Sequence, residues 1–438
     1  MMMWDLGQKV GHATRSVDQT IRMSLADMTI RTSVLDARMI HGDAALFKDL
    51  EHRFATEVAR GTASQFFEAK LAERDQRHQR SGTSRYLVEP NIKDGKGGLR
   101  DLHTLNWLVK YQALSAKSRP NAEPPVFTRA EEGRFRRCED FLWTVRCHLH
   151  FLAGRPEERL SFDRQPALAG RLGYVDRGGL RAVERFMKHY FLVAKDVGDL
   201  TTILCAALEM QQLVRTPTMD AFLDPLGWRT RRRIRRISDF RIDNGRLNVA
   251  DAKAFERDPV NLIRFFAYAE ETQARIHPAA LRLIWQSFRL IDDNLRSNPE
   301  ANRIFLSLLT APSNPEATLR RMNESGLLGR FVPDFGRVVA MMQFNMYHHY
   351  TVDEHLIRTV GVVSEILRGE AGKAHPLAHK LIVGLQRQRV LYVAAFLHDI
   401  AKGRAEDHSI AGARVARQVC PRLGLDAEET ALAEWLVR

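Results

Sequence analysis

The chain has 438 residues, more than a single hydrophobic core usually holds, so two to four domains are expected. Its 66 Lys and Arg outnumber 53 Asp and Glu for a net charge of +13, which suits an anionic partner such as a nucleotide, a nucleic acid or an acidic protein. An apolar content of 45% with only 16 prolines is typical of a folded, mainly α protein. Cys138, Cys147, Cys205 and Cys420 lie far apart with no CxxC spacing. That excludes a disulfide or zinc-finger framework and fits a cytoplasmic setting. No apolar run approaches the roughly 20 residues that span a bilayer, and no secretory h-region opens the chain.

In chain order, "ATRSVDQTIRMSLAD" reads as a helix. "DMTIRTSVLDARMI" then alternates, with Met28 and Ile30 set apart from Thr29 and Arg31, the period of a half-buried strand. Residues 1–45 are thus expected to be a small α/β unit whose beginning is absent. Charged helical sequence fills 46–80 and yields to "EPNIKDGKGGLRDLHTLNWLVK". In that break Gly95, Gly97 and Gly98 permit close backbone approach, and Lys93, Lys96 and Arg100 add charge. Amides at the start of the helix after Gly98 would favour an anion, so the segment reads either as a phosphate-contacting turn or as a tight packing turn.

Helical patterns follow over 101–110, 126–155 and 180–214, with the loop-like "GRPEERLSFDRQPALAGRLGY" between the last two. "GWRTRRRIRRISDFRI" carries the basic run Arg229–Arg236. It is read as a solvated linker or helix face, and no nucleic-acid role is expected for it. Further helices occupy 260–325. The final pattern, "DAEETALAEWLVR", has no helix stop signal after it, and a fragment of something longer is expected.

"VLYVAAFLHDIAKGRAEDHS" places eight apolar residues directly before His398 and Asp399. On a helix, Leu391, Ala394, Ala395 and His398 share the buried stripe, and Asp399 lies one step round. Burying an imidazole and a carboxylate without partners is costly, and a divalent cation satisfies both. His355, separated from His398 by 42 intervening residues and set on the amphipathic "DEHLIRTVGVVSEIL", is the third expected metal ligand. Imidazole and carboxylate suit Mn, Fe, Zn or Mg, with Mg the least natural partner for histidine. Such a cation activates water against phosphorus. Lys402 is placed to meet a phosphate as a point charge, and His408 is a further ligand or phosphate contact. His348 and His349 in "MYHHYT" read as structural.

"HLIRTV…FLHDIAKG…H" resembles the HD phosphohydrolase superfamily, whose pattern H…HD…D ends on a later aspartate not found here. "EPNIKDGKGGLRDLHTL" is similar to the most recognisable segment of the bifunctional uridylyltransferase/uridylyl-removing enzymes of bacterial nitrogen regulation. "MWDLGQKVGHATRS", "DMTIRTSVLDARMIHGD", "HLHFLAGRPEERLSFDRQPALAGRLGY" and "MYHHYTVDEHLIRTV" look like family segments in the same order.

The resemblance implies an enzyme that attaches UMP from UTP to a tyrosine of the PII signal protein and removes it hydrolytically at the HD site, with Mg²⁺ or Mn²⁺. It implies a nucleotidyltransferase remnant over 1–45, an associated helical domain over 46–215, a helical connector over 216–340 and a partial all-α HD domain over 341–438. Glutamine sensing is expected only in a full-length parent with its ACT domains. The D-x-D pair of the transferase site does not occur in its expected context, and Asp27 is the candidate for that site's third carboxylate. One carboxylate cannot assemble a two-metal site, so no uridylyltransferase turnover is expected of this polypeptide. Two alternatives remain: an HD-type nucleotide or alarmone phosphohydrolase, and a catalytically dead PII-binding fragment.

Overall fold

The computed structural model describes residues 11–81, 85–116, 127–213, 239–243, 245–344, 350–371, 374–382, 384–404 and 406–438. The basic run Arg229–Arg236 and the pair His348–His349 lie outside the described residues.

Helix α1 (Val17–Ala26) begins with a capping box: the Ser16 hydroxyl accepts from the Gln19 amide, and the Gln19 side chain accepts from the Ser16 amide. The strand expected after it does not form; residues Met28–Leu35 are helix α2. Asp27 is its N-cap, accepting the amides of Thr29 at 2.7 Å and Ile30 at 2.9 Å. The alternation misled because Arg31, taken for an outward polar residue, is 2% exposed. Its guanidinium donates to the Ser24 and Leu25 carbonyls, both at 2.7 Å, closing the C-terminal end of α1. The expected α/β unit is therefore helical over its described part.

Helices α3 (Ala44–Arg53), α4 (Ala63–Ser81), α5 (Leu99–Ala116), α6 (Arg129–Ala153), α7 (Gln165–Arg171) and the long α8 (Ala182–Leu213) enclose a first core. Phe66 stacks on Tyr111 at its centre, with ring centroids 4.0 Å apart. A small three-stranded sheet follows. Strand β1 (Phe240–Asp243) pairs antiparallel with β2 (Arg246–Val249), and β2 pairs parallel with β3 (Arg275–Ile276), aligning Arg246 with Arg275.

Between and after these strands run α9 (Ala254–Arg257), α10 (Asn261–Thr272), α11 (Pro278–Gln286), α12 (Asp293–Ser297), α13 (Pro299–Leu309), α14 (Pro315–Glu324), α15 (Leu328–Phe331) and α16 (Pro333–Val338). Then come α17 (Val352–Leu367), α18 (Pro376–Ile382), α19 (Gln388–Leu397), α20 (His408–Leu423) and α21 (Ala427–Val437). Apolar side chains from Phe240 to Val437 join in one second core. Helix α19 is apolar almost all round because it runs through that core: Tyr392 to Leu397 are all buried. Among the described residues no helix is long and apolar enough to cross a membrane.

Candidate metal centre

Helix α17 carries His355 in its first turn, and α19 ends one residue before His398. His398 is the C-cap, and Asp399 opens the turn that follows, so the pair sits at the buried end of a core helix. Gly403 completes this turn at φ +77°, and a Cβ there would overlap the Met341 methyl group.

His355 Nε2 lies 3.1 Å from His398 Nε2. Asp399 Oδ2 lies 3.5 Å from the first nitrogen and 3.4 Å from the second. These three residues form the only group of potential metal ligands found among the described residues, their ligand atoms all within 4.8 Å of one another. His398 Nδ1 is 2.8 Å from the Ala395 carbonyl. A carbonyl only accepts, so the proton sits on Nδ1, and in the neutral ring Nε2 keeps its lone pair toward the convergence point. Ligands about 2.1 Å from one cation, at angles of about 90–110°, stand about 3.0–3.5 Å apart. The three measured edges match that spacing, and a nitrogen–nitrogen–oxygen donor set suits a divalent first-row cation.

Burial pushes the Asp399 carboxyl up, but its hydrogen bonds to His398 and Lys402 outweigh burial and hold it well below the usual carboxylate range. For His398, burial lowers the imidazole, while Asp399 and the Ala395 carbonyl raise it further, leaving it above its ordinary value.

Two neighbours of His355 tie it to the second core. Asp353 is fully buried and accepts from Asn323 Nδ2 at 2.8 Å. Glu354, also buried, accepts from Arg320 at 2.7 Å, and Arg320 reaches Glu316 at the same distance. Gly361 leaves room for Glu316, whose carboxylate a Cβ would overlap. The sequence signal for this clamp was "VDEH", two acids in the first turn of a helix. Acids in a first turn ordinarily compensate the helix dipole at the surface, whereas these two are buried and paired.

The remaining candidate residues fall elsewhere. Lys402, expected to meet a phosphate, pairs with Asp399. It is 9% exposed, and its ammonium lies 2.7 Å from Asp399 Oδ2. His408 begins α20, is exposed, and stands outside the three-residue group. Asp27 is exposed, caps α2 and belongs to no ligand group among the described residues.

The glycine turn consumes its own amides. Lys93 and Asp94 donate to the Asn91 side chain, Gly95 to the Asn91 carbonyl, and Gly97 to Asp101 Oδ2 at 2.8 Å. Gly98 donates to Gly95, Leu99 to Ile92, and Arg100 to Lys93. The amides of Gly95, Gly97 and Gly98 are all bonded within the turn, which favours the packing alternative over the phosphate-contacting one. Arg100 lies 3.6 Å from Asp94. The turn packs α5 against α8: a Cβ on Gly97 would lie 2.5 Å from the Ala194 carbonyl oxygen. Its buried anchor, Asp101, is held by His78 at 2.9 Å and by Arg77, contacts that the sequence did not signal.

Three family models match the chain. One described as GlnD PII-uridylyltransferase matches residues 65–205, one described as the uridylyltransferase GlnD third domain matches 240–331, and an HD domain matches 352–437. The third contains His355, His398 and Asp399. The first two together span more than half of the chain, in order and without overlap with the third. The chain belongs to the GlnD PII-uridylyltransferase family, uridylyltransferases that also carry an HD hydrolase domain.

Proposed function

We propose that His355, His398 and Asp399 hold one divalent cation, and that this site hydrolyses the phosphodiester joining UMP to a tyrosine of the PII signal protein. The observation that carries this reading is the convergence of two imidazole nitrogens and one carboxylate oxygen from separate elements within 4.8 Å. Two nitrogen donors favour Mn²⁺ over Mg²⁺. When bound, such a cation supplies Lewis-acid polarisation of a phosphoryl oxygen and acidifies a coordinated water.

The chain's own residues do the rest. The Ala395 carbonyl fixes the His398 ring so that Nε2 points at the site. The Arg320–Glu354 and Asn323–Asp353 contacts fix the helix turn that carries His355. Lys402 keeps the Asp399 carboxylate ionised and oriented, and is a positioning residue. His408, exposed at the head of α20, is assigned to contact the substrate phosphate rather than the cation.

The test is UMP release from uridylylated PII by the intact chain with Mn²⁺ or Mg²⁺, compared with His398→Ala. Release that the substitution abolishes supports the proposal. Hydrolysis of free nucleotides alone replaces it with a nucleotide phosphohydrolase, and metal-independent PII binding without release leaves only docking.

A further inference from the structure

The chain running out of α16, residues 337–344, serves both cores in alternation. Ala340 and Met342 are buried in the first core, Met341 in the second, and Val339 packs against both. Residues at the start of α8 grip this strap at its two ends. Lys188 Nζ donates to the Arg337 carbonyl at 2.9 Å, and Arg181 Nη2 donates to the Phe344 carbonyl at 2.8 Å. The Arg181 guanidinium also lies over the Phe344 ring, 5.1 Å from its centre. Between the grips Ala340 has φ +57°, a left-handed backbone that a Cβ opposes. The buried Asp353 carboxylate accepts the Ala340 amide and holds that conformation.

Met341 thereby meets both ligand-bearing elements. Its carbonyl accepts the Val352 amide at 2.8 Å, at the head of the helix whose first turn carries His355. Its methyl group lies against Gly403, where a Cβ would overlap it. Gly403 ends the turn that Asp399 opens, and the Lys402 amide closes that turn on the Asp399 carbonyl at 3.1 Å. Leu180, just ahead of α8, approaches the same glycine: its Cδ2 would stand 3.7 Å from a Cβ there. The ligand triangle takes His355 from the first element and His398 and Asp399 from the second. One residue of the strap touches both.

We propose that Met341 is a positioning residue of the metal centre: it fixes the spacing of the two ligand-bearing segments, and the first core bears on them through it. The inference rests on the reading of His355, His398 and Asp399 as ligands. Ligand atoms must be held within about 0.5 Å of their working geometry, and groups behind the ligands supply that hold. An unbranched thioether suits the place, because it reaches across a bare Cα and fills an irregular gap.

The test compares Met341→Ala and Arg181→Gln with Leu423→Ala, a truncation in the same second core. Leu423 lies about 16 Å along α20 from Gly412, the residue of that helix that packs toward the His398 carbonyl. Amide hydrogen exchange is followed by mass spectrometry in EDTA, and Mn²⁺ affinity by isothermal titration. Met341→Ala should speed exchange over 352–355 and 399–403 at least tenfold and weaken Mn²⁺ binding at least tenfold. Arg181 is exposed, so Arg181→Gln reports even where Met341→Ala folds poorly, and it should shift both readouts severalfold. Leu423→Ala should lower the unfolding midpoint yet leave both readouts at parent values. Exchange unchanged over those two segments, or raised equally by Leu423→Ala, overturns the proposal, as does Mn²⁺ affinity within threefold of the parent in both strap variants. A parent that binds no Mn²⁺ removes the ligand reading instead, and the exchange comparison without metal still decides whether Met341 fixes the two segments.

Discussion

Lys402 Nζ lies 2.7 Å from Asp399 Oδ2, with both side chains at or below 10% exposed, and that same oxygen faces the Nε2 atoms of His355 and His398. One carboxylate oxygen therefore serves a buried ammonium and also completes the triangle of ligand atoms. The ammonium offsets the carboxylate's charge wherever a cation does not, so the core tolerates Asp399 in either state.

Replacing Lys402 with Met tests this. Without metal, the carboxylate loses its buried partner, and stability is expected to fall by about 3 kcal/mol. With saturating Mn²⁺, the loss is expected to shrink by at least half, because the cation takes over the compensation. Urea unfolding in EDTA and in Mn²⁺ measures both values; an equal loss in the two conditions refutes the shared role of Oδ2.

His355→Ala separates ligation from folding. Its side chain is 41% exposed, so truncation removes little packing, and a small change in unfolding midpoint is expected. Mn²⁺ affinity and UMP release should both drop on the order of 100-fold or more. Isothermal titration with Mn²⁺ and a UMP-release assay read the two effects, and retention of full metal affinity would remove His355 from the ligand set.

Local chemistry in the sequence reached as far as local chemistry decides. An apolar run ending at His398 and Asp399 marked a core helix delivering polar groups inward, and an amphipathic pattern set His355 on its partner. What failed was set by contacts that residue type and spacing do not announce. Arg31 was assigned outward by residue type, although its guanidinium is buried against the carbonyls of α1, and the alternation this created imitated a strand. The glycine turn looked open to an anion because nothing within it announced that Asp101 would accept the Gly97 amide while His78 and Arg77, more than 20 residues earlier, clamp the carboxylate. The pairing of Arg85 with Gly198 across more than 100 residues was equally silent.

The Asp101 clamp makes the first core acid-sensitive. Burial pushes this carboxyl up, but His78, the Gly97 amide and Arg77 more than compensate, so its folded value lies below the unfolded value of about 4. A carboxyl depressed on folding contributes stability that is fully present above its unfolded value and disappears as pH falls toward the lower folded one. Stability should therefore decline below about pH 4, and Asp101→Asn should be less stable at pH 7 by about 3 kcal/mol while losing less on acidification. Chemical denaturation at stepped pH between 3 and 7 measures the slopes; parallel profiles for parent and variant contradict the clamp.

Gly97→Ala probes the packing reading of the glycine turn against the anion reading. Gly97 has φ +84°, and its added Cβ would lie 2.5 Å from the Ala194 carbonyl oxygen and 2.9 Å from the Ala194 methyl. Both the left-handed backbone and the close approach oppose a side chain, so a loss of about 2–4 kcal/mol is expected. Gly154 also has positive φ, at +64°, but its Cβ would meet nothing within 4 Å. Gly154→Ala carries the backbone strain alone and should lose only about 1 kcal/mol. Unfolding midpoints of the two variants give the difference due to helix packing. A turn that contacts an anion instead of packing α5 on α8 would show equal stability losses and a phosphate affinity changed only by the Gly97 substitution.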